Sequence, residues 1–424
     1  MTSSSFGVPT QFEISEITID GEDIIGIFFS ISIFESIYSP VITGNIVIQD
    51  SDGAGFIEEQ GVQFIEPIEF SFKNANGDVL QFKGVLNGLR NEFLKDSLKM
   101  YTIDFSSEAV RKNEETYVVK AFKDTRPGDI VQEMAERLGG ELDNAAGQGL
   151  PMNYIGSRRR PVDVIKYVLT HGVTQSSEAS EQGDTPNEEA KGTTGFMFWE
   201  TLDGFRFATV DNVNAGNVGT EHRDFNRRLN NIGLSMEEVM KTIVVVDFKQ
   251  IGDFQTKLRS GAFSGVNVSF DMDKGLYKEY KYYNEKQMTD KQKKALPRDK
   301  VTRFFSKPFD NDKFENSCQK AQPNTGDQSR LYLEQNAGSQ NTFCDQIGSF
   351  TLPLHPEFHA GDLFDCKVNK IKDTRSQGGA DQKHSGRYVM ESVSHHLTMD
   401  GRAYTRIKSL RTTKQQNDVT SDAS

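Results

Sequence analysis

The sequence predicts a mainly β chain of the α+β class, with two β-barrel, tube-like domains and a small α/β domain inserted between them. Three observations carry that expectation. Short apolar runs with period-two alternation, each closed by a Gly, Asn or Asp turn signal, fill 11–110 and return near the C-terminal end. A stretch with helical spacing separates the two regions. Phe is frequent, at 30 of 424 residues, which suits thin β cores filled by large rings.

Taken in order, Ile14–Ile19 and Ile24–Ile33 flank Asp20-Gly21, a hairpin signal. Gly44–Gln49 is a further short run. Ile68–Phe72 and Val79–Leu86 flank Asn74-Ala75-Asn76-Gly77-Asp78 as a second hairpin, and Leu98–Phe105 alternates again. Ile25–Phe34 is apolar at nearly every position. Either both of its faces are buried within the chain, or one meets a neighbouring chain.

The texture changes near 111. Asp124 or Thr125 is placed to cap a helix in which Ile130, Met134 and Leu138 share a face and Gly139-Gly140 end the run. Pro161–His171 reads as a second helix, with Pro at its first turn and Gly172 beyond its end. Gly195–Val210 reads as a hairpin turning at Asp203-Gly204, and it holds Trp199, the sole tryptophan. Between these, 174–194 is polar and acidic and is expected to be a surface loop. Met236–Ile251 resumes β character, strongest at Ile243–Phe248, and 252–283 alternates weakly through Val266–Phe270. Residues 284–341 are polar and Pro-interrupted, read as loop with one or two short helices.

The closing segment is the most regular. GSFTLPLHPEFHAGDLFDCKVNKI (348–371) reads as strand, Pro-bounded turn, Gly-Asp step and strand. Tyr388–His396 and Ala403–Leu410 then form a hairpin bending at Met399-Asp400-Gly401. The expected division is 8–110 for the first β domain and 111–230 for the insert. The second β domain takes 231–283 with 342–412, 284–341 is a polar excursion, and 413–424 is a disordered tail.

Bulk properties narrow the function classes. A length of 424 suggests about three domains. No run of about 18 apolar residues is present, so no membrane-spanning helix is expected. The opening segment lacks a basic stretch followed by an apolar one, so no secretory signal is expected. Cys318, Cys344 and Cys366 are odd in number and widely spaced, which argues for a reducing compartment. A net charge of −12 argues against sequence-independent DNA grip, although Arg158-Arg159-Arg160 and Lys281–Lys300 are locally basic.

Candidate chemistry is sparse. His355 and His359 with Cys366, His395 and His396 supply metal-ligand types. However, the 355–361 segment is a Pro- and Gly-bounded turn, where an i, i+4 pair shares no helical face. His395 and His396 are adjacent in a strand and point to opposite faces. Cys344 and Cys366 sit in strand-like runs, where inert buried thiols are usual. Glu58-Glu59 and Glu237-Glu238 read as solvating pairs, and Gly139-Gly140 follows a helix and reads as a cap, not a phosphate loop. Tyr277–Tyr283 (YKEYKYY) has the look of a single-strand grip and equally of an exposed edge strand. No catalytic, cofactor-binding or metal residue is assigned, and no cofactor is expected.

Taken together, these features resemble the central hub protein of contractile-tail phage baseplates. The residues that carry the resemblance are Tyr388, Val389, Val393, His395 and Leu397 in the penultimate strand, followed by the hairpin. PVDVIKYVLTHGV followed by GFMFWETLDGFRFATVD also looks like the family's helix, aromatic strand and Asp-Gly turn. Late-control tail proteins (tail protein D) and type VI secretion spike heads share this architecture.

The resemblance implies a homotrimer in which each chain gives two similar barrels, so that three chains make a pseudo-sixfold ring. It would join the tail tube, or tube-initiator proteins, to the central spike. It would also contact baseplate wedge proteins and leave a channel through which DNA passes without specific nucleic-acid binding. The protein would be a non-enzymatic virion component assembled in the host cytoplasm. The alternative is a cell-wall-degrading tail enzyme, lysozyme- or peptidase-like.

Overall fold

The computed structural model describes residues 9–50, 55–95, 98–142, 148–174, 195–227, 234–250, 254–261, 263–271, 276–283, 290–296, 304–309, 346–368, 381 and 383–411. The loop expected over 174–194 and the tail after 412 lie almost wholly outside them, as do Cys318 and Cys344.

The first unit comprises β1 (Glu13–Ile19), β2 (Glu22–Asp23), β3 (Phe28–Ser36), β4 (Thr43–Asp50), α1 (Phe56–Gln60), β5 (Pro67–Lys73), β6 (Val79–Lys95) and β7 (Leu98–Ser106). The insert follows with α2 (Glu108–Glu115), β8 (Val118–Thr125), α3 (Pro127–Leu138), β9 (Met152–Arg159), α4 (Pro161–His171), β10 (Phe196–Thr201), β11 (Gly204–Thr209) and α5 (Val210–Ala215). Next come β12 (Glu221–Arg227), α6 (Met236–Met240), β13 (Val245–Gln250), α7 (Phe254–Ser260), β14 (Ser264–Asp271), β15 (Leu276–Tyr283), α8 (Asp290–Ala295) and β16 (Phe304–Phe309). The chain closes with β17 (Gln346–Pro353), β18 (Leu363–Val368), β19 (Gly386–Thr398) and β20 (Arg402–Arg411).

The mainly β, α+β class holds, but the two β regions are one continuous sheet. Its order is β13-β17-β20-β19-β3-β4-β7-β6-β5-β1-β2, with β18 and β12 branching from β19. The seam is the antiparallel pairing of β19 with β3, from Ser392↔Ser36 to Thr398↔Ser30. Neither unit is a closed barrel among the described residues. Each is drawn round instead by isolated hydrogen bonds. Ala403 N donates to Thr10 O just ahead of β1, while Asn226 N donates to Lys241 O and Ile243 N to Asn226 O just ahead of β13.

The β19–β20 hairpin therefore serves both units. Leu397 and Ala403 near its tip belong to the first core, with Ile31, Ile33, Phe70, Phe82 and Phe105. Met390, Val393 and Ile407, further from the tip, belong to the second core, with Phe225, Phe350, Phe358, Phe364 and Tyr388. Each such side chain removed from water contributes about 1.5–3 kcal/mol. The Phe-rich composition is explained here: Phe70 stacks on Phe82 at 5.2 Å, and Phe82 meets Phe105 at 5.2 Å.

Local signals explain most elements. Asp20 and Gly21 turn β1 into β2 with φ of 53° and 82°. The expected strand Ile24–Ile33 is broken, however, because Phe28 N turns back to Ile24 O and β1 pairs instead with β5. The cap of α3 is Arg126, with Pro127 at the first helical position, not Asp124 or Thr125; Gly139 ends it in the left-handed conformation. α4 spans Pro161–His171 as expected. Met236–Met240, expected as β, is a helix closed by a Ser235–Glu238 capping box. Strands β14, β15 and β16 form a separate three-stranded sheet instead of joining the second unit, and β15, the YKEYKYY segment, is at its edge.

The apolar run 25–34 is buried on one face only. Ile31 and Ile33 are fully enclosed, whereas Ser30, Ser32 and Phe34 share the other face, with Phe29 at a β-bulge beside them; Phe29 and Phe34 are 41% and 37% exposed.

Candidate functional site

Strict alternation gives the insert hairpin two working faces. Phe196, Phe198, Phe205 and Phe207 enter the insert core with α3 and α4. Met197, Trp199 and Ala208 point the other way, against Ile37, Ala360, Leu363, Val389 and Leu410. The hairpin is thus the contact through which the insert rests on the seam, and a buried polar network runs along it.

Two carboxylates anchor that network. Glu35 on β3, 1% exposed, accepts from Leu202 N at 2.9 Å through Oε1 and from Ala360 N at 3.0 Å through Oε2. Asp362, fully buried, accepts from Arg206 Nη1 (2.8 Å) and Thr220 N (3.0 Å) through Oδ1. Its Oδ2 accepts from His222 Nε2 and His359 N, each at 3.0 Å. Burial alone would raise the Asp362 pKa, yet His222 and Arg206 hold it below the ordinary carboxylate value.

His359 joins the two anchors. Its Nδ1 lies 3.2 Å from Glu35 Oε1 and its Nε2 lies 3.0 Å from Asp203 Oδ2, so both ring nitrogens face carboxylates and donate. Burial disfavours the imidazolium, but the bond to Glu35 and the charges of Glu35, Asp203 and Asp362 outweigh it and raise its pKa. Trp199 Nε1 donates to Ala360 O at 2.8 Å. First unit, insert and second unit therefore share one set of hydrogen bonds around His359-Ala360-Gly361-Asp362.

Gly361 is required in this loop. It has φ of +90°, and a Cβ there would lie 2.6 Å from Trp199 Cζ2. Gly361→Ala is expected to destabilise by about 2 kcal/mol or more. The sole Trp makes the check direct: emission should move to the red as the indole is dislodged, and an unchanged spectrum and midpoint would contradict the packing described.

Glu200 is the network's titratable flank. Its Oε2 accepts from Ile42 N at 2.8 Å and from Ser107 Oγ at 2.5 Å, and burial pushes its pKa up to about 7. A folded value above the unfolded one means that the group's contribution is intact below about pH 4.5 and is lost as pH rises through about 7. Glu200→Gln should therefore stabilise the protein at pH 8, on the order of 2 kcal/mol, and change little at pH 4. Denaturant midpoints at the two pH values measure it.

The histidines singled out in the sequence disperse. His355 meets Glu357 Oε1 (2.7 Å) and Met240 O (3.0 Å), whereas His359 faces Glu35 and Asp203. His395 points into the core and contacts Thr405 Oγ1 at 3.0 Å; His396 is on the opposite face beside Ser32 Oγ at 2.9 Å. Cys366 is buried, and burial pushes its thiol well above the ordinary value. An open cleft of about 500 Å³ lies beside the joint, lined in part by Glu221, His222, Phe225, Met240, His355 and Glu357. Sequence reasoning flagged His359 and the Gly361-Asp362 step but missed Glu35, Glu200, Arg206 and His222. The available signal for Glu35 was a single carboxylate interrupting an apolar strand.

No family model matches the sequence, and no curated protein matches it. Solved structures do resemble the fold. A tail protein from Neisseria meningitidis MC58 aligns with TM-score 0.51 over 96% of this chain and 99% of that one, at 9% identity. The 43 kDa tail protein of prophage MuSo2 from Shewanella oneidensis aligns with TM-score 0.51 over 94% and 98%, also at 9% identity. This chain shares the fold of these two tail proteins. The likeness extends over nearly the full length of both proteins.

Proposed function

We propose that this protein is the structural central hub of a contractile tail baseplate. Three copies form a pseudo-sixfold ring that joins the tail tube to the central spike and leaves a channel for DNA. The observation that supports it most is the continuous sheet: two β units of one chain share the β19–β20 hairpin and present strands side by side. Two such units in each of three chains supply six wall segments. The near-full-length likeness to two tail proteins supports a part of that machinery. The buried joint suits a load-carrying part, because its charged groups bind one another and fix the insert against the seam.

On this reading the chain does no chemistry, and virion assembly takes place in the host cytoplasm. Solution mass and end-on imaging of the purified full chain test it. A trimer with a central opening and no peptidoglycan clearing is expected; a monomer that clears peptidoglycan would overturn it in favour of the lytic alternative.

A further inference from the structure

The chain's charge is divided very unevenly. Residues 1–72 contain twelve carboxylates and no Lys, Arg or His, while the whole chain carries −12, so residues 73–424 are neutral overall. Five of those carboxylates are crowded onto the terminal edge of the large sheet: Glu13 and Glu16 on β1, Asp20 in the turn, and Glu22 and Asp23 at β2. All five are exposed, and none forms an ion pair among the described residues. β2 is the last strand of the sheet and pairs with β1 alone.

The insert carries the opposite surface. β8 and β9 form a two-stranded ribbon, each paired only with the other among the described residues, so each leaves an edge open. Its inner face packs Val118, Phe122, Met152 and Tyr154 into the insert core. Its outer face shows Val119 and Ile155, each 73% exposed and the highest values among the large hydrophobics of the described residues. Around them lie the exposed cations Lys123, Arg158 and Arg159, which have no ion pair among the described residues; neighbouring Lys120 and Arg160 are bound to Glu133 and Glu114. Open strand edges, bare β-branched side chains and uncompensated cations together describe a docking surface for an acidic partner that offers a strand edge.

We infer that the β8–β9 ribbon of one copy docks on the acidic β1–β2 edge of the next copy. The two surfaces are complementary in charge, and both expose unpaired strand edges. Because they are different patches of the same chain, the contact is heterologous, which generates a ring when the rotation closes. The inference rests on the trimeric reading above and names the surfaces that would build it. Charge pairing of this kind steers association and weakens as salt rises.

Sedimentation of the full chain tests it, with circular dichroism confirming that each variant is folded. The wild type should be a trimer at low salt. Arg158→Glu with Arg159→Glu should raise the dissociation constant at least tenfold and shift the species toward monomer. Adding Glu16→Lys and Glu22→Lys to that variant should restore the trimer, since both partners are then reversed. A trimer unchanged by the Arg158→Glu/Arg159→Glu pair overturns this inference and leaves the trimeric reading standing, with another protein or another surface in the interface. A monomeric wild type overturns both.

Discussion

Asp362→Asn should destabilise the protein by about 3–5 kcal/mol, the cost of removing one partner of a buried charged pair. The wild-type carboxylate accepts four donors: Arg206 Nη1, Thr220 N, His222 Nε2 and the His359 backbone N–H. Asn keeps the shape but replaces one oxygen with an amide that is itself a donor. Whichever way it turns, a donor then faces a donor, and Arg206, whose side chain is 16% exposed, loses its counter-charge. Urea midpoints at pH 7.5 read the loss, and Trp199 emission reports whether it starts at the joint. Because much of the cost is the stranded guanidinium, Asp362→Asn combined with Arg206→Met should lose less than the sum of the two single variants. A loss under about 1 kcal/mol for Asp362→Asn would mean that the joint is not a stabilising element.

The joint also shows where sequence reading succeeds and where it stops. Turn chemistry and periodicity are local, so α4, the Asp203-Gly204 hairpin and the closing β19–β20 pair were legible. The pairing of β19 with β3 joins Thr398 to Ser30 across most of the chain, and no local signal encodes it. The same is true of Glu35: beside Ile33 and Phe34 it reads as an interruption, and only the fold shows that Leu202 and Ala360 donate to it. β8 and β9 were missed because Lys120, Lys123, Arg158 and Arg159 dilute their apolar alternation. Those cations are the residues that give the ribbon its proposed partner, so the feature that obscured the strands is the one that points to their use.

Between about pH 6.5 and pH 4 His395 should be the largest single source of acid destabilisation, opposed by Glu200 and His359, whose raised values favour the folded chain as pH falls. The His395 ring is completely enclosed on β19, and burial lowers its pKa to about 3; the charge of His359 adds to this. Thr405 Oγ1 receives His355 N at 2.8 Å, so its hydroxyl proton is free to bond His395 Nδ1 at 3.0 Å, which requires the neutral ring. In the unfolded chain His395 titrates near 6.5. A folded value below the unfolded one gives full stability above about pH 6.5, and the contribution declines as the unfolded chain takes up a proton that the folded chain refuses. By pH 4 the loss from this residue is on the order of 3 kcal/mol. Burial likewise lowers His396 to about 4, and Asp362, held low by its partners, acts in the same direction. His359 has the opposite sign: its raised value supports stability below about pH 6.5 and gives it up as pH rises through the folded value. His395→Gln separates these contributions, since it still accepts from Thr405 but never titrates. The variant should be about 1–2 kcal/mol less stable than wild type at pH 7.5, for imperfect packing. It should also lose about 3 kcal/mol less between pH 7.5 and pH 4. An acid limb of equal depth in both proteins would show that His395 is not what makes the seam acid-sensitive.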